Sequence, residues 1–244
     1  MTMMASRNTG DVGHGITAGS SAWRFGGDVV PQFDNHVRQS VPFYDVGHDL
    51  VGKLSDFFIG DHSVCYDLGC STGELVRQLA GRHAHRLGTQ FIGIDSEADM
   101  VTHANQQSAP ESVQFVVDDI CTTQYQHADL IIAYYTVQFV RPRQRQDLIN
   151  RLFTALNWGG ALILFEKVRG ADARFQDIFT TLYTEFKQDQ LFTADEILAK
   201  SRSLKGVLEP FSTQGNLDML RRAGFLDIVT VMKYLCFEGF LAIK

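Results

Sequence analysis

From Trp23 to Phe58 the apolar positions recur at helical spacing, first as Phe25, Val29, Val30 and Phe33, then as Val46, Leu50, Leu54 and Phe57, with Pro42 between them. Helices bury a residue every three to four positions, and proline breaks them from inside. The pattern therefore predicts two short helical pieces over 23–58, an N-terminal lid ahead of the first strand. Beyond residue 59 short, dense apolar runs alternate with helical stripes. Strands are predicted at Ser63–Leu68, Gln90–Ile94, Val113–Val117, Ala128–Tyr134 and Ala161–Glu166, with helices at Glu74–Gly81, Ala98–Gln107 and Pro142–Leu156. Strands apolar on both sides and separated by helices imply a parallel sheet covered on both faces. A helix over 213–223 follows, then two strand-like runs, Ile228–Tyr234 and Phe237–Ile243, joined closely enough for an antiparallel hairpin. The fold class predicted is α/β: a seven-stranded, mostly parallel sheet with an antiparallel C-terminal strand and helices on both faces.

Two segments fall outside this alternation. Residues 171–205 read as a helical, amphipathic insertion, with Phe175, Ile178, Phe179, Leu182 and Phe186 on one stripe, packed over the ligand edge of the sheet. Residues 1–22, rich in Gly, Ser and Thr, read as a flexible tail carrying His14 between two glycines. The 59–244 segment is then the ligand-binding domain.

Composition narrows the function classes. The 244 residues, 45% of them hydrophobic, suffice for one sizeable core, and a net charge of −6 gives no overall attraction to nucleic acid. Arg221 and Arg222 read as a solvated helix end. Cys65, Cys70, Cys121 and Cys236 form no CxxC pair and have no histidine at zinc spacing, so they read as reduced thiols and no metal is expected. With no bilayer-length apolar run and no signal-peptide core in the first 20 residues, the expectation is a cytoplasmic protein without membrane or direct nucleic-acid partners.

The strongest chemical signal is Val64-Cys65-Tyr66-Asp67-Leu68-Gly69-Cys70-Ser71-Thr72-Gly73-Glu74, a strand ending in Asp, a glycine loop and a helix start. Glycines let a ligand approach the backbone, and a helix N-terminus offers free N–H groups. A carboxylate at such a loop repels a pyrophosphate but can hold an ammonium, which favours an amino-acid-bearing nucleoside over a dinucleotide. Asp95, about 20 residues past the glycine loop, can take both ribose hydroxyls. Asp119 can accept from an adenine amino group while Ile120 packs on the ring. Three acidic strand ends in register matter because ligands sit outside the carboxyl ends of open α/β sheets. Tyr134 and Tyr135, after the fourth strand, either orient a substrate or pack on the cofactor. Glu166 is a candidate general base or else pairs with Lys167 or Arg169. Phe179 and Tyr183, with Phe175 and Phe186, could line a substrate pocket or simply fill core.

Asp67–Gly73, Asp95, Asp119 and the closing strand pair resemble the class I S-adenosylmethionine-dependent methyltransferases, a Rossmann-like fold. A closer likeness lies in Ser40–Tyr44, Asp67–Ser71, Thr136–Phe139, Leu156–Leu162 and Glu166-Lys167, which resemble the carboxy-S-adenosylmethionine synthases of tRNA wobble-uridine modification. The resemblance implies cofactor contacts at Tyr44, Gly69, Cys70, Ser71, Asp95, Ser96, Asp119 and Ile120, and a homodimer that pairs the insertions. Two positions depart from that family. Tyr134 stands where it has an Asn, and Ser201 where it has the Arg that grips the extra carboxylate, with Arg202 one place along. One residue on a helix is about 100° of rotation, so Arg202 need not face the pocket. The planar guanidinium fork is hard to replace for a carboxylate. The expectation from this departure is a methyltransferase that uses ordinary S-adenosylmethionine, gives S-adenosylhomocysteine, and acts on a small-molecule acceptor, as in secondary-metabolite biosynthesis. The alternatives are a carboxy-S-adenosylmethionine synthase, with Arg202 or Arg38 serving the carboxylate, and a non-catalytic S-adenosylmethionine-binding partner protein.

Overall fold

Residues 9–244 are described by a computed structural model. Part of the segment expected as a tail folds into a small antiparallel hairpin, β1 (Gly10–Asp11) and β2 (Thr17–Ala18). Its turn carries Val12 and Ile16, buried against Trp23, Val29, Val30 and Met100. These two apolar side chains, isolated among Gly, Ser and Thr, are what tie the segment down. The remainder of the expected tail, residues 1–8, lies outside the described residues. The predicted lid is α1 (Phe33–Ser40) and α2 (Tyr44–Ser55), divided at Pro42 and turned by Phe43 at φ 58°.

The alternating pattern follows nearly as predicted. The elements are β3 (Val64–Leu68), α3 (Glu74–Arg82), β4 (Gln90–Asp95), α4 (Ala98–Gln106), β5 (Val113–Val117), β6 (Ala128–Tyr134), α5 (Pro142–Ala155) and β7 (Leu156–Lys167). After the insertion come α8 (Thr213–Ala223), β8 (Asp227–Tyr234) and β9 (Phe237–Ile243). The seven strands lie in the order β5-β4-β3-β6-β7-β9-β8, and β9 runs antiparallel to both its neighbours. This is the Rossmann-like class I architecture. One side of the sheet packs Leu68, Ile131, Leu164 and Phe240 against α5 and α8, and the other packs Cys65, Ile132 and Phe165 against α2 and α3. β3 pairs with β4 on one side and β6 on the other, so the strand order reverses there and a crevice opens at the carboxyl ends.

The insertion is two helices, α6 (Ala173–Asp189) and α7 (Ala194–Ser203). Asp172 caps α6 by accepting from the Phe175 N–H at 3.0 Å. A capping box of Thr193 with Glu196 starts α7. The orientation of α6 differs from the expected one. Phe175, Ile178 and Leu182 are exposed, whereas Phe179 and Tyr183 pack toward the sheet and Lys187 is buried. Periodicity identifies residues that share a face, but two interleaved stripes here are apolar and the one carrying the lysine is turned inward.

Candidate active site

The crevice holds a cavity of about 1020 Å³, walled by the strand ends, α1, α2 and the two insertion helices. Its floor is the glycine loop. The Gly69 and Cys70 N–H groups both donate to the Ile94 carbonyl, at 2.7 and 3.0 Å, which ties the loop to the end of β4. Gly69 has φ 72°, and a Cβ there would strike the Thr136 side chain at 2.5 Å, so only glycine fits. Gly73 caps α3 at φ 76° and is not part of the cavity wall.

Asp67, Asp95, Asp119 and Ile120, together with Tyr44, Cys70, Ser71 and Ser96, share this wall. The Asp95 carboxylate is held by two backbone donors, the Ser71 N–H at 2.8 Å and the Glu97 N–H at 2.9 Å, one on each oxygen. Each oxygen keeps a lone pair for a further donor, as two ribose hydroxyls require. Burial holds Asp95 above the ordinary carboxylate range despite these bonds. Asp67 is buried, and no hydrogen bond to its carboxyl is found among the described residues. Burial, then repulsion from Asp95, pushes its pKa up to about 7. Such a carboxyl favours an incoming ammonium, which would restore its charge. Asp119 accepts from the Cys121 N–H at 2.8 Å through one oxygen. A buried carboxyl beside a glycine cradle, followed by a diol acceptor, fits the amino-acid and sugar parts of S-adenosylmethionine.

The other predicted residues divide. Tyr134 and Tyr135 line the cavity, but the Tyr134 hydroxyl is committed, donating to the Tyr44 carbonyl at 2.7 Å. The Tyr134 ring packs on His48, Tyr135 and Phe165. Phe179 and Tyr183 line the cavity, and the Tyr183 hydroxyl donates to the Ser40 carbonyl at 2.8 Å, joining the insertion to the lid. Glu166 is not on the wall. It is fully enclosed beneath the loop after β6, against the N–H groups of Val137 and Gln138, with one carboxyl oxygen unpartnered. It pairs with neither Lys167 nor Arg169; the cation nearest its ionisation is Arg145. Arg202 is also off the wall: it is exposed and borders a shallow recess with Thr9 and Asp195, while Ser201 faces the cavity. Arg38 is taken up by Asp45 at 2.9 Å and Glu74 at 2.5 Å.

The site also contains a basic wall that the sequence did not suggest. Lys167 at the end of β7, Lys187 in α6 and Lys200 in α7 all face the cavity. Burial lowers all three, and Lys187 is brought to about 7. A sequence signal for one of them existed: Lys187 follows Phe179 and Tyr183 at intervals of four, the spacing of one helix face.

With this geometry established, comparison with known proteins is informative. A profile described as a methyltransferase domain matches residues 65–160. Carboxy-S-adenosyl-L-methionine synthase of Staphylococcus epidermidis is 33% identical over 91% of this chain and 97% of its own length. The protein of the same name from Campylobacter jejuni is also 33% identical, over 91% of this chain and 94% of its own. The chain belongs to the carboxy-S-adenosylmethionine synthase family. It is thus an S-adenosylmethionine-dependent enzyme, as the glycine loop and acidic strand ends led us to expect. Solved structures agree on the fold. The apo S-adenosylmethionine-dependent methyltransferase SibL superposes with TM-score 0.59 at 16% identity, over 83% of this chain and 55% of that one. Human N-acetylserotonin methyltransferase in complex with S-adenosylmethionine gives 0.55 at 17% identity, over 91% and 60%.

Family membership overturns the expectation of a small-molecule methyltransferase, because the full-length relatives are named as synthases. The physical error is traceable. That expectation equated one missing guanidinium, at Ser201, with loss of the basic end of the cavity. Instead, the α7 turn that presents Ser201 also presents Lys200, and α6 adds Lys187.

Proposed function

We propose that the protein forms carboxy-S-adenosylmethionine from S-adenosylmethionine and a carboxylic-acid donor such as prephenate: the activated methyl carbon loses a proton and gains the donor's carboxyl group as carbon dioxide, while the electron pair of the broken C–C bond expels the donor's ring hydroxyl, which leaves with that proton as water. The observation that carries this reading is the charge separation within one cavity: carboxylates at the ends of β3, β4 and β5, and lysines from β7, α6 and α7. A methyl transfer to a neutral acceptor has no use for an unpaired basic wall, whereas a carboxyl donor and a carboxylated product both do. In this reading Asp67 takes the ammonium, Asp95 the ribose hydroxyls, and Asp119 with Ile120 the adenine. The cofactor supplies a methyl carbon activated by its sulfonium. Tyr134, with its hydroxyl committed, serves as a rigid partition beside that carbon, while Tyr135 and Phe179 exclude water. Glu166 acts as a buried support of the loop at 136–139 and takes no part as a base. We propose that the product feeds tRNA wobble-uridine modification, a reading supported by the resemblance to the synthases of that pathway. We further propose a homodimer paired through the insertions, supported by the exposed Phe175, Ile178 and Leu182 on α6.

The decisive experiment incubates the protein with S-adenosylmethionine and prephenate and follows the cofactor by mass spectrometry. The expected result is a species heavier by one carboxyl group, formed only when both reactants are present. Unaltered cofactor under saturating conditions would refute the synthase reading.

A further inference from the structure

Three ammonium groups share one wall of the cavity, and none has a carboxylate beside it among the described residues. Lys187 and Lys200 are each only 8% exposed, a burial that lysines almost never reach unpaired. Lys167 and Lys187 share the Tyr183 ring and Lys200 stands over Trp23, so the three follow one another along the wall. Aromatic rings flank it. The Lys167 and Lys187 Nζ atoms lie 4.0 and 4.7 Å from the centre of the Tyr183 ring, and Lys200 sits on the face of Trp23, which stacks on His36. A ring face offsets about 0.5–2 kcal/mol for a cation, against several kcal/mol for taking that ion out of water. Ring faces alone therefore do not offset the burial, which lowers all three lysines, and an incoming carboxylate would restore their charge. His36 adds no negative charge; burial, with Lys200, His14 and Lys187 nearby, keeps it neutral, its pKa lowered to about 3.

We propose that Lys167, Lys187 and Lys200 form the subsite that holds the carboxyl donor, a small organic di-acid, in place of the single guanidinium absent at Ser201. One carboxylate has two oxygens and can bridge two ammonium groups; a row of three calls for a second carboxylate. This assignment rests on the synthase reading for the identity of the donor, but the binding chemistry can be examined separately.

The test titrates prephenate calorimetrically into S-adenosylhomocysteine-saturated full-length protein, as wild type, Lys187→Met and Lys200→Met. Methionine keeps the length of the side chain and removes the charge. Each substitution is expected to weaken prephenate binding tenfold or more, to leave S-adenosylhomocysteine affinity within twofold, and to leave Tm equal to or above that of the wild type. Wild-type affinity for prephenate in both variants would overturn the subsite, even if the wild type makes the carboxylated cofactor. Absence of prephenate binding by the wild type would overturn it as well. Binding that depends on the lysines without any carboxylated product would sustain the subsite and sink the synthase reading instead.

Discussion

Asp95 shows how a single side chain is prepared for a ligand. Two backbone N–H groups fix its plane, so no rotamer freedom is lost when a diol arrives. A hydrogen bond to a charged group contributes about 1.5–3 kcal/mol. Asp95→Ala should therefore weaken S-adenosylhomocysteine binding at least tenfold by calorimetry, and unchanged affinity would remove the ribose assignment. Glu166 behaves oppositely, as a carboxyl shut away from any ligand. Its pKa is raised from 4.5 to about 8, mainly by burial, with Arg145 and the Gln138 and Val137 N–H groups opposing the shift. Below pH 4.5 the group is protonated both folded and unfolded. Between 4.5 and 8 the unfolded chain releases a proton that the folded chain retains. The stability contributed by the shift is thus full below 4.5 and is lost as pH rises toward 8, by up to about 1.4 kcal/mol per pH unit. Glu166→Gln should flatten this part of the Tm–pH profile between pH 5 and 8; an unchanged slope would show that Glu166 is ionised in the fold.

At the scale of elements, the position of the lid and of the insertion follows from a few contacts. Gly47 brings α2 so close to β6 that a Cβ would collide with the Tyr134 hydroxyl, and that hydroxyl then ties β6 to the first residue of α2. Tyr183 ties α6 to the end of α1 in the same way. With its inner stripe so engaged, α6 is left with Phe175, Ile178 and Leu182 facing outward, half or nearly half exposed. Helices that present such a row rarely stay alone in water. In the proposed dimer, Ile178→Glu combined with Leu182→Glu should convert a two-chain species to one of about 27 kDa by light scattering, with the far-UV spectrum intact. A wild-type protein that is already monomeric at high concentration would reject the pairing.

For the molecule as a whole, what could be read from the sequence was whatever is written locally. The strand–Asp–glycine loop–helix order fixes the cradle within eleven consecutive residues, and Asp95 and Asp119 announce themselves by ending apolar runs. The β9 reversal was legible because a tight connection cannot join parallel neighbours. Facing and pairing were not legible. The four-residue spacing puts Lys187 on the side of Phe179 and Tyr183 but does not say that this side turns in, nor that Phe175, four residues earlier still, is left outside. Arg202 looked nearer to the absent guanidinium than Lys200 did, although the helix sends it to the far side. The lysine row is defined by a lack of carboxylates around it in space, which no local pattern records. Val12 and Ile16 anchor a hairpin that composition alone describes as loose.

The opposed charges of the two ends of the cavity also impose a direction on whatever enters. A zwitterion reversed within it would set its ammonium against the lysines and its carboxylate against Asp67, and would be repelled at both termini. A di-acid straying to the nucleoside end would meet Asp67 and Asp95. In the proposed reaction two reactants of different charge would thereby be sorted to neighbouring berths before any bond changes, each end gaining its full charge as the matching group arrives.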